Sequence, residues 1–263
     1  MQVKDIMNHF RQLGKWVDWA NTCDRLLHGQ DNKPISGIAT TWTATNKVIE
    51  QAAAKRLNLI VTHEPLFLGG PPPRGLAGTP AGDEVVAGKK ALLNKHGITV
   101  IRCHDVWDRM PHIGIPDAWA DFLGFPTEQR PVESYNKICL IEAMTFAEVA
   151  THVLDRVRQL GQDWVLALGD RDKPVKRMSV GTGAITRLWE MLELNIDLAL
   201  LTDDGMNTWT AGYFAADRGL PILIVNHATA EKPGMMAMAK YLRQTFPDMP
   251  VEYLDVELPW QLV

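Results

Sequence analysis

No stretch of this sequence is long and apolar enough to cross a bilayer. The opening residues, MQVKDIMNHFRQLGKW, have the spacing of an amphipathic helix and lack the unbroken apolar core of a signal peptide. Membrane insertion and export are therefore disfavoured, and the chain is expected to be cytoplasmic. Cysteine is scarce. Cys23, Cys103 and Cys139 are odd in number, scattered, and without partners at zinc-finger spacing, which argues against a disulfide framework and fits a reducing compartment. There is no basic run, and the formal net charge is −4, so the electrostatic footprint of a nucleic-acid-binding protein is missing. Gly181-Thr182-Gly183 lacks both the third glycine of a dinucleotide fingerprint and the lysine of a phosphate-binding loop, which leaves a tight turn as its better reading. No Ser–His–Asp or Cys–His constellation supports a covalent mechanism, so water would be the nucleophile of any hydrolysis.

What is present is a chain of 263 residues, 46% hydrophobic, able to bury a sizeable core as one large domain or two smaller ones. Strand-like and helix-like segments alternate. The first half offers a strand over 35–41, a helix in NKVIEQAAAKRL, a strand over 58–62, a helix in GDEVVAGKKALLNKH and a strand over 98–103. The second half repeats the rhythm with KICLIEA, then TFAEVATHVLDRVRQLG, where Thr145 and Glu148 form a capping box, followed by VLALGD, RMSVGTG, LWEMLELN and DLALLTDDG. The pattern predicts an α/β fold of two βαβ-type halves, 1–130 and 131–263, with mixed or parallel sheets packed by helices and a metal site between the halves. Residues 69–83 are rich in Gly and Pro and predict an exposed loop beside the strand that leads to His63.

Three separated segments each place a histidine and a carboxylate where an apolar run ends. These are His63-Glu64 in NLIVTHEPLF, His104 with Asp108 in GITVIRCHDVWD, and His227 with Glu231 in PILIVNHATAE. In open α/β sheets the carboxyl ends of strands are where ligands usually bind. If 227–231 opens a helix, the four-residue spacing puts His227 and Glu231 on one face. Three such coincidences in a chain with 8 histidines predict one metal site. His9, His28, His96 and His152 are expected to be solvated, and His112 reads as a loop residue or an outer-shell group. Asp203 and Asp204 end another apolar run and are outer-shell or substrate-side candidates. Met235, Met236 and Met238 read as helix core, and Trp107 reads equally as packing or pocket lining.

The stretch SGIATTWTATNKVIEQAAAKRLNLIVTHEPLF, then RCHDVWD, then NHATAEKPGM, with WANTCDRLLHG before them, resembles the Nif-three-like family (NGG-one-interacting factor three). The resemblance runs over nearly the whole chain in the expected order. It implies an α/β fold, a dinuclear metal centre and a toroidal homo-hexamer. The implied metal ligands fall on His63, Glu64, Asp108, His227 and Glu231, with His104 as a further ligand or outer-shell residue. One departure stands out: Glu64 occupies a position where most members have a second histidine. A carboxylate there shifts the expected preference towards harder ions, manganese or ferrous iron, relative to zinc, and leaves room for one or two ions per chain. Glu231 is the candidate bridge between two ions. Such a centre suits a hydrolase acting on a phosphoester or nucleotide-like small molecule, the substrate itself being unspecified. A non-catalytic metal-binding, sensing or scaffold protein is the competing expectation.

Overall fold

A computed structural model describes residues 1–67 and 75–260, so the expected Gly/Pro-rich loop over 69–83 lies partly outside the described residues. The strands are β1 (Leu26–His28), β2 (Ile38–Thr41), β3 (Leu59–Thr62), β4 (Thr99–Arg102), β5 (Asn136–Thr145), β6 (Leu166–Leu168), β7 (Pro174–Gly181), β8 (Leu198–Thr202), β9 (Ile222–Val225) and β10 (Val251–Tyr253). They form two five-stranded mixed sheets, ordered β1-β4-β3-β2-β10 and β5-β7-β8-β9-β6. The chain divides into two units. One is Met1–Trp107 with Met235–Val256, and the other is Asp108–Gly234 with the segment that starts at Glu257.

In the first unit β10, β2, β3 and β4 run parallel and β1 joins β4 antiparallel. All four residues of β3, Leu-Ile-Val-Thr, are buried, as expected of a parallel strand covered on both faces. Helix α1 (Val3–Leu13) buries Val3, Ile6 and Phe10 at helical spacing. Helix α2 (Asn46–Ala54) starts at Thr45, whose side chain accepts from the Val48 amide, and it buries Val48, Ile49 and Ala52. Helix α3 (Pro80–His96) starts inside the segment expected to be loop. Thr79 caps it and Pro80 sits in its first turn, where the missing N–H costs nothing, while Gly97 ends it at φ +60°. Helices α2 and α3 close one core with the sheet around Ile49, Ile60, Leu93 and Val100.

In the second unit β7, β8 and β9 are parallel, with β5 and β6 antiparallel at the two edges. A short helix α4 (Asp105–Asp108), of which only Asp108 belongs to this unit, precedes α5 (Ile115–Leu123), and α6 (Phe146–Arg158) follows β5. The expected capping box on α6 is present: Thr145 Oγ1 accepts from Glu148 N, and the Glu148 carboxylate accepts from Thr145 N at 2.7 Å. Phe146, Val149, Val153 and Val157 of α6 pack with Trp119 and Leu123 of α5 in the main core of this unit. Helices α7 (Leu188–Leu192), α8 (Tyr213–Arg218) and α9 (His227–Thr245) complete the described helices, apart from a π-helical turn at Thr208–Gly212.

Three expectations about single residues change. His9 hydrogen-bonds the Tyr241 hydroxyl at 3.0 Å and packs edge-on to Phe246, and burial lowers its pKa. His152 meets the Leu123 carbonyl at 2.7 Å beside Phe125. Both are packing residues with one polar contact, not solvated side chains. Met235 and Met238 are core, as expected, whereas Met236 is exposed. Trp107 is fully buried with its ring against Tyr241, which makes it a packing residue.

Candidate metal centre

Each of the expected ligand segments begins where a parallel strand stops. His63 and Glu64 follow β3, His104 follows β4 by one residue, and His227 follows β9 by one residue to become the first residue of α9.

In the first unit His63 is fully buried, with Nδ1 3.4 Å from the Cys103 carbonyl. A carbonyl can only accept, so Nδ1 carries the hydrogen and Nε2 is the basic nitrogen. The His63 and His104 rings stack with centroids 4.4 Å apart and planes 16° apart. Arg102 fixes the pair from behind: its Nε donates to the His63 carbonyl at 2.7 Å and its Nη2 to Glu64 Oε2 at 3.2 Å. The other Glu64 oxygen lies 3.8 Å from His104 Nε2. His104 is held on its far side by Asp105, Nδ1 to Oδ1 at 2.9 Å. That hydrogen bond, opposed by burial, holds the Asp105 carboxyl well below the usual carboxylate range. Asp24 caps the start of α4 by accepting the amides of His104, Asp105 and Val106 at 2.6, 3.0 and 2.9 Å. Asp108, which closes α4, is the first residue of the second unit and is buried.

In the second unit His227 Nε2 stands 2.9 Å from Glu231 Oε1, so the four-residue spacing does bring the two together on α9. Both residues are buried. Asp204 Oδ2 meets His227 Nδ1 at 2.7 Å, and Asp203 Oδ1 accepts the His227 amide at 3.0 Å. The second Asp203 oxygen accepts from Asn226 Nδ2 at 2.8 Å. Burial lowers the His227 pKa, but the field of Glu231 and the hydrogen bond to Asp204 outweigh it and push the value up to about 11. Burial likewise raises Asp204, and its contact with His227 more than offsets that, so its pKa falls. Gly183 explains the glycine turn. At φ +73° it follows β7, and a Cβ there would lie 3.0 Å from both Glu231 Oε1 and His227 Nε2. The turn is tight, as expected, and its glycine also keeps side-chain bulk away from the ligand pair.

The DUF34/NIF3 family (NGG1p interacting factor 3) matches residues 1–258. The chain belongs to this family. Similar relatives include the "GTP cyclohydrolase 1 type 2 homolog" of Clostridium perfringens, 24% identical over 97% of this chain and 95% of that protein. The protein of the same name from Chlamydia muridarum is 26% identical over 88% of each chain. Among solved structures, the hypothetical protein SA1388 of Staphylococcus aureus superposes with a TM-score of 0.79 at 16% identity, covering 100% of this chain and 99% of its own. A Bacillus cereus protein related to NIF3 gives 0.79 at 14% identity with the same coverage. These structural likenesses establish the NIF3 fold.

The donor chemistry fits a divalent cation. Two carboxylates, Asp204 and Glu231, meet the His227 imidazole and a third, Asp203, accepts the His227 amide, which leaves an excess of negative charge even when the ring is protonated. Such a cluster is costly without a cation. Each of the three strand-end histidines has Nδ1 turned to an oxygen acceptor, the usual way a metal-binding imidazole is oriented. Sequence reasoning named the histidines and ranked Asp203 and Asp204 below them. It passed over Asp105, Asp24 and Arg102. Asp105 was findable as the neighbour of a strand-end histidine, whereas Asp24 acts on residues some 80 positions away and leaves no local signal.

Proposed function

We propose that this NIF3-family protein binds divalent metal through His63, Glu64, Asp108, His227 and Glu231, and hydrolyses a phosphoester or nucleotide-like small molecule. The observation that carries the reading is the buried His227 set between Asp204 and Glu231, with Gly183 keeping space over the pair. Bound divalent ions lower the pKa of water and polarise phosphoryl oxygens, which is the chemistry a hydrolase of this kind requires.

The chain's own residues have definable parts in this. Asp204 and the Cys103 carbonyl hold the Nδ1 sides of His227 and His63, so that Nε2 is the ligating nitrogen of each. Arg102 holds Glu64 by one oxygen, which leaves the other as the donor. Glu64 in place of an imidazole favours manganese or ferrous iron over zinc, with one or two ions per chain. The name borne by the relatives does not fix a substrate for this chain. The depth of His63 and Glu231 supports a second reading, a metal-sensing or metal-storing protein whose ions are closed off from substrate. The family resemblance adds a toroidal homo-hexamer, which sedimentation of the purified protein tests.

The deciding measurement is metal content per chain in protein purified without chelators, for wild type, His63→Ala and Glu231→Ala, followed by hydrolysis of a phosphoester panel. Loss of the bound manganese or iron in each variant, together with metal-dependent turnover in wild type, is the expected result. Metal retained in full by either variant refutes the shared ligand set. Tight metal binding without turnover of any phosphoester favours the sensing role.

A further inference from the structure

Outside the five proposed ligands lies a second group of ligand-type side chains, all within the first unit. Cys23, His104 and Asp105 offer a sulfur, an imidazole nitrogen and a carboxylate oxygen that lie within 4.8 Å of one another. Asp105 Oδ1 is the common point: Cys23 Sγ is 3.4 Å from it and His104 Nδ1 2.9 Å. We infer that these three residues form a separate cation site for a thiophilic divalent ion of the zinc or cobalt(II) type.

The spacing suits such an ion. Zinc bonds of about 2.3 Å to sulfur and about 2.0–2.1 Å to nitrogen and oxygen, in tetrahedral geometry, put sulfur and oxygen roughly 3.5 Å apart and nitrogen and oxygen roughly 3.3 Å apart. The sulfur–oxygen separation is met as it stands, and the nitrogen–oxygen one needs a few tenths of an ångström. The carboxylate is also held as a metal ligand should be. Its second oxygen accepts the Thr22 hydroxyl at 2.7 Å and the Cys23 amide at 3.3 Å, which leaves Oδ1 as the atom facing sulfur and nitrogen. Asp24, locked onto three amides of α4, ties the Thr22–Asp24 segment to the helix that carries Asp105.

Cys23 is the thiol with the right exposure. Cys103 and Cys139 are buried in the cores of their units, and burial pushes the Cys139 thiol up to about 12, whereas Cys23 is half-buried. His104 and Asp105 are also reachable, with side chains 18% and 34% exposed. Loading balances simply. The Cys23 thiol releases one proton to solvent, and the hydrogen on His104 Nδ1 is replaced by one on Nε2, the nitrogen that faces Glu64 Oε1. Sulfur and nitrogen donors select zinc-like ions, in contrast to the oxygen-rich set around Glu64, Asp108 and Glu231, so the two sites would fill with different metals. His104 then serves this site through Nδ1 and faces Glu64 only with its protonated Nε2, 3.8 Å from Oε1.

The test uses cobalt(II) on the full chain, because a thiolate bound to cobalt gives a near-ultraviolet charge-transfer band that oxygen and nitrogen ligands do not. The band should appear in wild type, persist in the double variant His227→Ala/Glu231→Ala, and vanish in Cys23→Ser with the loss of one cobalt per chain. Cys103→Ser and Cys139→Ser should keep it. A second measurement needs no variant: zinc should slow alkylation of Cys23 by iodoacetamide, mapped by mass spectrometry. Absence of the band in wild type, its survival in Cys23→Ser, or alkylation of Cys23 at the same rate with and without zinc would overturn the inference and leave a hydrogen-bonded cluster only. None of these outcomes bears on whether His63 and Glu231 bind metal, so the two readings fail separately.

Discussion

Asp204 and His227, 23 residues apart, meet at 2.7 Å between Oδ2 and Nδ1, and this contact sets which nitrogen of the ring is available to a metal. Replacing the carboxylate should therefore weaken metal binding without unfolding the protein. Asp204→Ala is expected to lower divalent-metal affinity about 10–100-fold, the usual cost of losing an outer-shell partner of a ligand. Because the Asp204 side chain is 49% exposed and His227 keeps Glu231 as a partner, the melting temperature of the metal-free protein should fall only modestly. Competition against a fluorescent chelator reads the affinity, and wild-type affinity in the variant would show that His227 is oriented by other means.

The protonation state of His227 gives a second prediction. In the metal-free protein its pKa is pushed up to about 11, so the ring is charged at neutral pH. The ordinary histidine value is about 6.5. Stability from the charged cluster is thus complete below about pH 6.5 and declines as pH rises towards 11, where it is lost. A metal ion takes the place of that proton, so uptake at neutral pH should release about one proton from His227. Calorimetry in buffers of different ionisation heat counts it. In Glu231→Gln the ring loses one of its two charged partners and the released fraction should fall. A count of zero in wild type would mean that His227 is not displaced from its proton by metal.

Gly183 and Gly124 make a matched pair, since both have positive φ, +73° and +84°, but only Gly183 has ligand atoms within reach of an added Cβ. Alanine at either position should destabilise the fold by about 1–2 kcal/mol from left-handed strain. Only Gly183→Ala should also reduce metal content, by pressing on His227 and Glu231. Denaturant titration and metal analysis of both variants separate the two effects, and equal metal content would remove Gly183 from the site.

Glu64→His should move the metal preference. An imidazole in place of the carboxylate removes a hard donor and one negative charge, so the ratio of zinc to manganese retained from an equimolar mixture should rise relative to wild type. Arg102 loses its carboxylate partner in this variant, which should lower stability modestly because the pair is only partly buried. An unchanged metal ratio would show that Glu64 does not ligate.

Much of the fold was legible because its strands are short apolar runs bounded by Gly, Pro and Asn, and its helices carry local caps. The runs before His63, His104 and His227 became β3, β4 and β9, and Thr145 with Glu148 marked the start of α6. What was not legible depends on distant partners. β1 and β10 are three-residue strands with no periodicity to read, and β10 joins the first sheet only by pairing with β2, more than 200 positions earlier. Helix α3 was cut short in the reading because the prolines and glycines before it mask the cap made by Thr79 and Pro80. At the site, the residue types at strand ends revealed the histidines and acids one by one. The roles of Asp105 and Asp204 came from side-chain direction, which spacing does not encode.

The late pairing of β10 with β2 has a consequence for synthesis. The second unit is built mainly from the continuous stretch Asp108–Gly234, while the first needs Met235–Val256 to complete its sheet. On a ribosome making the chain from its first residue, β2 stands as an edge strand of the nascent sheet until Val251–Tyr253 emerge. Most of the later-made unit can therefore fold before the earlier one is complete, the reverse of the usual N-terminal-first order. During that interval the fully buried residues Ile38–Thr41 lack their outer neighbour, and this is when the chain is most open to pairing with another copy of itself or to capture by a chaperone.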